Sequence, residues 1–201
     1  NPLIVHIAEY GALEKIVKEI PPKTEALANA FWPGPLTMIF EKSEIVPYET
    51  TGGLETVAVR MPSNLIAMEL IRAGGGYISA PSANTSGRPS PTKAEHVADD
   101  LNGKIEMILD GGSVEIGLES TIVDMTVEPP MILRPGAITK EMLEQEIGEV
   151  DVDRTILSAD SHQAPKAPGM KYRHYAPKAD LIIVEGEPEE ETKAIRQLVY
   201  E

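Results

Sequence analysis

The sequence predicts an α/β protein in which helices pack on a sheet. Three observations predict it. Strand-like and helix-like apolar patterns interleave from the first residue to about 150. A polar, Pro/Ala-rich stretch without periodicity follows at 154–168. A lone strand–helix unit then closes the chain, too small to bury a core of its own. The expected organisation is a first domain over 1–150, a linker over 151–178 and the start of a second α/β domain over 179–201.

LIVHI at 3–7 reads as a buried strand. Leu13, Ile16, Val17 and Ile20 recur at helical spacing until Pro21 and Pro22 end the helix. A short helix is expected over 24–32, with WPGP at 32–35 turning into a strand at 36–41, and TTGG at 50–53 forms another turn. In TVAVRM at 56–61, Val57, Val59 and Met61 share one face while Thr56, Ala58 and Arg60 share the other. Ser63 is expected to cap a helix over 63–72 that three consecutive glycines stop. YISA at 77–80 is the next strand. Thr92 and Glu95 fit a capping box, followed by Ala94, Val97, Ala98 and Leu101 along one helical face. Strands at 106–110, 121–127 and 131–134 and a helix at 139–147 complete the first domain. Beyond the linker, DLIIVEG at 180–186 reads as a strand and 188–199 as a helix.

Composition excludes several function classes. The formal net charge of −14 argues against a broad basic face for nucleic acid. The absence of cysteine removes disulfides, thiolate metal sites and thiol catalysis together. The four histidines are scattered, so no dedicated transition-metal site is expected. No apolar run reaches the roughly 18–20 residues that span a bilayer, and no signal-peptide pattern opens the sequence. A cytoplasmic protein without membrane contact is expected. If the chain binds phosphates, a few cations must converge against this field, and Arg60, Arg88, Arg134, Lys171 and Arg173 lie in or beside Gly/Pro/Ser-rich turns.

The most informative stretch is SAPSANTSGRPSPT at 79–92. Pro81, Pro89 and Pro91 forbid helix and central strand there, so small hydroxyls and backbone N–H groups sit on a stiff, turning loop. Such a loop can approach an anion closely, with Gly87 tolerating positive φ and Arg88 offering a planar fork. A proline-rich surface loop is the plainer reading, on composition an equal one. Elsewhere, His6 alternates with Val5 and Ile7, Ser120 precedes an alternating strand, and Arg134 ends a strand at Pro135-Gly136. Taken singly, these would be a satisfied core histidine, a strand-edge hydroxyl and a surface ion pair. Together they are polar residues ending strands at turns. GMKYRHYAP at 169–177 clusters tyrosines with basic side chains, fit either to fold over a nucleotide as a lid or to tether the next domain.

These motifs carry a resemblance. SAPSAN-SG at 79–87, ESTIVD at 119–124, LRPG at 133–136 and PLIVHI at 2–7 resemble the YrdC-type threonylcarbamoyl-AMP synthases. APGMKYRHYAP at 167–177 resembles the linker of their longer, two-domain members. The resemblance implies a twisted mixed sheet with flanking helices. It also implies an activity: a nucleotidyltransferase that condenses L-threonine, bicarbonate and ATP into threonylcarbamoyl-AMP and pyrophosphate. The product would serve tRNA threonylcarbamoyladenosine formation by a downstream tRNA-modifying transferase complex, while the net charge argues against direct tRNA binding by this chain. Carried over by position, it places L-threonine at His6, Arg60, Ala80 and Ser120. It places ATP at Thr56, Ser82, Asn84, Ser90, Arg134 and Tyr172, with magnesium arriving on the nucleotide. No acid–base residue is singled out, because the site is expected to act by positioning. Against that family, the sequence lacks a threonine-rich first strand and a Lys-x-Arg element before PLIVHI. The same fold without catalysis, as an RNA-binding or assembly module, is the alternative.

Overall fold

The structure is a computed structural model that describes residues 2–153 and 182–200. Seven strands form one mixed sheet: β1 (Ile4–Ile7), β2 (Leu36–Glu41), β3 (Thr56–Arg60), β4 (Tyr77–Ala80), β5 (Thr121–Asp124), β6 (Met131–Arg134) and β7 (Asp151–Val152). Their spatial order is β4-β1-β3-β2-β5-β6-β7. β1–β3, β2–β5 and β6–β7 run parallel; β1–β4, β2–β3 and β5–β6 run antiparallel.

The period-2 alternation divides the sheet as the sequence demands. Val5, Ile7, Met38, Phe40, Val57, Val59, Val123 and Ile132 join the main core. Helices α1 (Leu13–Ile16), α2 (Thr24–Phe31) and α6 (Lys140–Ile147) cover this face with Leu13, Ile16, Leu27 and Leu143. A side chain as fully buried as Phe40 or Leu143 contributes about 1.5–3 kcal/mol. The opposite face holds a much smaller apolar strip, Ile39, Ala58, Ile122 and Leu133. At its β4 side, α4 (Leu65–Ala73) packs Met68 and Ile71 near Ala8 and Ile78. Helices α3 (Tyr48–Thr51), α5 (Ala94–Leu101) and α7 (Pro188–Tyr200) complete the described elements. No described helix is long and apolar enough to cross a membrane.

Several local expectations are corrected. The helix expected through Ile20 stops at Ile16, because Val17 turns extended and bridges Lys42, with the Lys18 N–H donating to Glu41. Pairing with the end of β2 outweighs helical spacing. Asn64, not Ser63, caps α4, its side chain accepting from the Ala67 N–H. The capping box at Thr92 is absent: Lys93 is the N-cap, and the Thr92 N–H donates to His96 Nδ1. Residues 106–110 form no strand, since no described strand pairs with them, and Met107 and Leu109 are exposed. Residues 182–186 are likewise not a strand. β7, which the sequence did not suggest, adds to the sheet beside β6. The linker cluster at 169–177, with Tyr172, Lys171 and Arg173, lies outside the described residues.

Candidate active site

Three segments of the chain meet on the less covered face of the sheet. The first is β1 with β3: His6 and Arg60 are register partners across this parallel pair, so their side chains stand together. The second is the loop after β4, running from Ala80 to Thr92. The third is the stretch from Gly111 into β5 together with the end of β6. Between them lies a cavity of about 720 Å³, within the range of about 300–1,000 Å³ usual for small-molecule sites. His6, Arg60, Ala80, Ser82, Asn84, Ser90, Ser120 and Arg134 all line it. Thr56 does not. It shares the face of Arg60 but starts β3, four residues away beside Glu41, which places it roughly 13 Å along the strand. Arg88 is also absent from the lining. It pairs with the carboxylate of Asp100, which is buried and also accepts from the Thr85 N–H and hydroxyl at 3.1 and 3.2 Å. That arginine stiffens the loop instead of facing a ligand.

Arg134 reaches the cavity through an irregularity in pairing. Ile122 faces Arg134, yet the next residue, Val123, faces Ile132, so β6 carries an extra residue, Leu133. A bulge of this kind re-aims the side chain beside it. Without it, alternation would send Arg134 towards the main core with Ile132. The guanidinium is then held by its own neighbours: Nε donates to the Ser120 carbonyl and Nη2 to Ser120 Oγ, both at 3.0 Å. Nη1 lies 3.1 Å from Glu119 Oε2, and the Arg134 side chain is only 16% exposed. Ser120 Oγ also shares a proton with Thr37 Oγ1 at 2.8 Å. Gly136 makes this close return possible, since a Cβ there would stand 2.4 Å from the Glu119 carbonyl.

Arg60 is placed differently. Its Nε donates to the Gly34 carbonyl at 3.0 Å, and no carboxylate pairs with it among the described residues. Burial, and then the nearby Arg134 cation, push its pKa below the ordinary arginine value. Burial, and then Arg60, hold His6 below 6.5, so its imidazole is neutral at pH 7. Asn84 donates to the carbonyls of Thr85 and Arg88, leaving Oδ1 buried without a partner among the described residues. An orphaned acceptor costs about 1–3 kcal/mol and is tolerated mainly where function requires it. The cavity therefore combines two convergent cations, a neutral imidazole and a hydroxyl-rich rim. It suits a small molecule bearing at least one anionic group. No described cluster of three or more acidic or histidine side chains could hold a resident metal.

Comparison with known sequences agrees with this geometry. The profile of the Sua5/YciO/YrdC family, described as "Telomere recombination", matches residues 1–136. The chain belongs to this family. A second profile, the C-terminal domain of threonylcarbamoyl-AMP synthase, matches residues 138–200. The threonylcarbamoyl-AMP synthase of Pyrococcus abyssi is 53% identical over 99% of this chain and that of Bacillus subtilis 52% over 94%. The chain spans 58% and 54% of those two proteins. The crystal structure of P. abyssi Sua5 complexed with L-threonine superposes with a TM-score of 0.93, covering all of this chain and 58% of that one. The mixed sheet with flanking helices is thus the Sua5/YrdC fold. Sequence reasoning passed over Glu119 and Asn64, which also line the cavity. Glu119 left a signal, an acidic residue directly before the expected site serine; Asn64 left none beyond its place near a helix start.

Proposed function

We propose that this chain carries a synthase site forming L-threonylcarbamoyl-AMP and pyrophosphate from L-threonine, bicarbonate and ATP. The observation that supports it most is the meeting of Arg60, without an acidic partner among the described residues, and Arg134 in one cavity rimmed by the serine-rich loop. The threonine amine first condenses with bicarbonate, losing water, to give a carbamate. A carbamate oxygen then forms a bond to the α-phosphorus of ATP as the bond to the bridging oxygen breaks and pyrophosphate leaves.

Such a displacement needs alignment and charge neutralisation more than proton transfer. Arg60 would clamp the threonine carboxylate, with neutral His6, the Ala80 backbone and Ser120 orienting the amino acid. Arg134 with Ser82 and Ser90 would hold the nucleotide's phosphates, with Asn84 shaping the loop around ATP through its bonds to the Thr85 and Arg88 carbonyls. Thr56 and Tyr172 remain assigned to the nucleotide by resemblance alone. Magnesium enters here as part of the ATP substrate, which needs few protein ligands, and it would screen charge on the pyrophosphate. The product would pass to a transferase that modifies tRNA.

The test is pyrophosphate release with and without threonine and bicarbonate. Release should require both, and release independent of threonine would overturn the reading. Valine discriminates further. A pocket that hydrogen-bonds the threonine hydroxyl should reject valine more strongly than serine, because valine leaves buried polar groups unpaired.

A further inference from the structure

Glu119 stands between the two parts of the site that the nucleotide is proposed to touch. One carboxylate oxygen, Oε2, lies 3.1 Å from Arg134 Nη1 on β6. The other, Oε1, accepts from Ser90 Oγ at 2.6 Å, and Ser90 belongs to the serine-rich loop. The two elements are 44 residues apart in sequence, and this one carboxylate touches both. Another anchor of the loop, Asp100, holds Thr85 and Arg88. With Pro89 and Pro91 on either side, Ser90 has no free rotation of its neighbours' φ angles to find the carboxylate late. A short charge-assisted bond of this kind is roughly twice as strong as a neutral one.

We propose that Glu119 is a positioning residue that ties Ser90 to Arg134 and sets the shape of the anion site before a ligand enters. The inference rests on the adenylate-forming reading for its kinetic consequence, but the tie itself does not. The carboxylate also competes with an incoming phosphate for Arg134, so its removal has two opposed effects on binding. Lost alignment weakens the nucleotide contact, and the lost negative charge strengthens it. Alignment alone governs the reacting geometry. Glu119 therefore acts on turnover more than on affinity, a separation that a purely structural role would not produce.

The test uses E119A, E119Q and S90A in the complete protein. Glutamine can still accept from Arg134 through its carbonyl and donate to Ser90 through its amide, whereas alanine can do neither. In the ligand-free protein, E119A should speed hydrogen exchange across 82–90 while amides of the central strands keep their protection. In the reaction, E119A should lower kcat by about 100-fold, the scale of a misplacement near 1 Å, with KM for ATP close to that of the wild type. E119Q should restore most of that kcat. In the ligand-free protein, adding S90A to E119A should speed exchange across 82–90 little beyond E119A alone, since both cut one link. Unchanged exchange in E119A would overturn the tie whatever the activity does. So would a kcat and KM that worsen together with the melting temperature, or accelerations of ligand-free exchange in S90A and E119A that multiply. A wild-type protein that forms no adenylate would refute the function above, leaving exchange to decide the tie by itself.

Discussion

At the scale of single residues, charge decides most of what this cavity can do. Arg134 makes bonds through Ser120 and Glu119 that aim its guanidinium, and on the proposed reading its removal takes away a charged hydrogen bond to phosphate. R134A should weaken ATP binding roughly 10–150-fold, from about 1.5–3 kcal/mol for such a bond. An unchanged dissociation constant by calorimetry would remove Arg134 from the nucleotide site. His6 supplies a test of pH. Its pKa in the folded protein lies below the ordinary 6.5, chiefly through burial. Between those two values the unfolded chain binds the extra proton and the native one does not, so stability rises with pH through that window. The neutral imidazole is fully tolerated above 6.5, and stability is lost as pH falls below it. H6N should flatten this part of the stability curve relative to wild type. Identical curves in urea melts at pH 5 through 8 would mean that His6 is not buried neutral.

Elements decide where those residues stand. The serine-rich loop has no internal ladder, so its shape depends on what its side chains grip. Asp100 on α5, 8% exposed, grips Thr85 and Arg88. D100A strands the Thr85 N–H and hydroxyl, and about 1.5–3 kcal/mol per charged hydrogen bond would be lost, with the exposed Arg88 contact adding little. Faster exchange at Thr85 and weaker ligand binding are expected, with the central sheet unaffected. A loop that keeps its protection in D100A would show that the prolines alone hold it. The bulge in β6 works at the same scale. An added Cβ at Gly136 would overlap the Glu119 carbonyl and the Thr121 N–H, both backbone atoms that cannot rotate away. G136A should therefore push β6 off β5 and cost about 1–3 kcal/mol, the usual penalty of overpacking. A melting temperature equal to wild type would rule out that close approach.

For the whole molecule, the question is how a chain of net charge −14 would, on the proposed reading, bind a polyanionic nucleotide in preference to RNA. A cavity concentrates two arginines locally, while the outer surface repels an extended phosphate backbone that comes within roughly a Debye length, about 8 Å at physiological salt. RNA affinity should accordingly be weak and show little of the steep salt dependence of a phosphate tracker. A loss of affinity by about 10³-fold or more between 50 and 200 mM salt would favour the RNA-binding alternative.

Alternation and turn chemistry made the sheet legible in one dimension. Val57 and Val59 against Ala58 and Arg60, or Val5 and Ile7 against His6, announce their faces because side chains on a strand repeat every second residue. The loop at 79–92 announced itself because prolines and small hydroxyls can form little else. The same local reasoning failed wherever a distant partner intervened. Val17 left its helix for Lys42, and 106–110 found no strand to pair with. Arg88 found Asp100 in place of a ligand, and β7 joined β6 across the chain. Which cations share a cavity, and which carboxylate holds them, depends on register and on one bulge between β5 and β6. A bulge is a property of two strands together. No spacing within one of them records it, so the sequence named many of the residues that line this cavity, without Glu119 and Asn64, and only the paired sheet brought them to face one another.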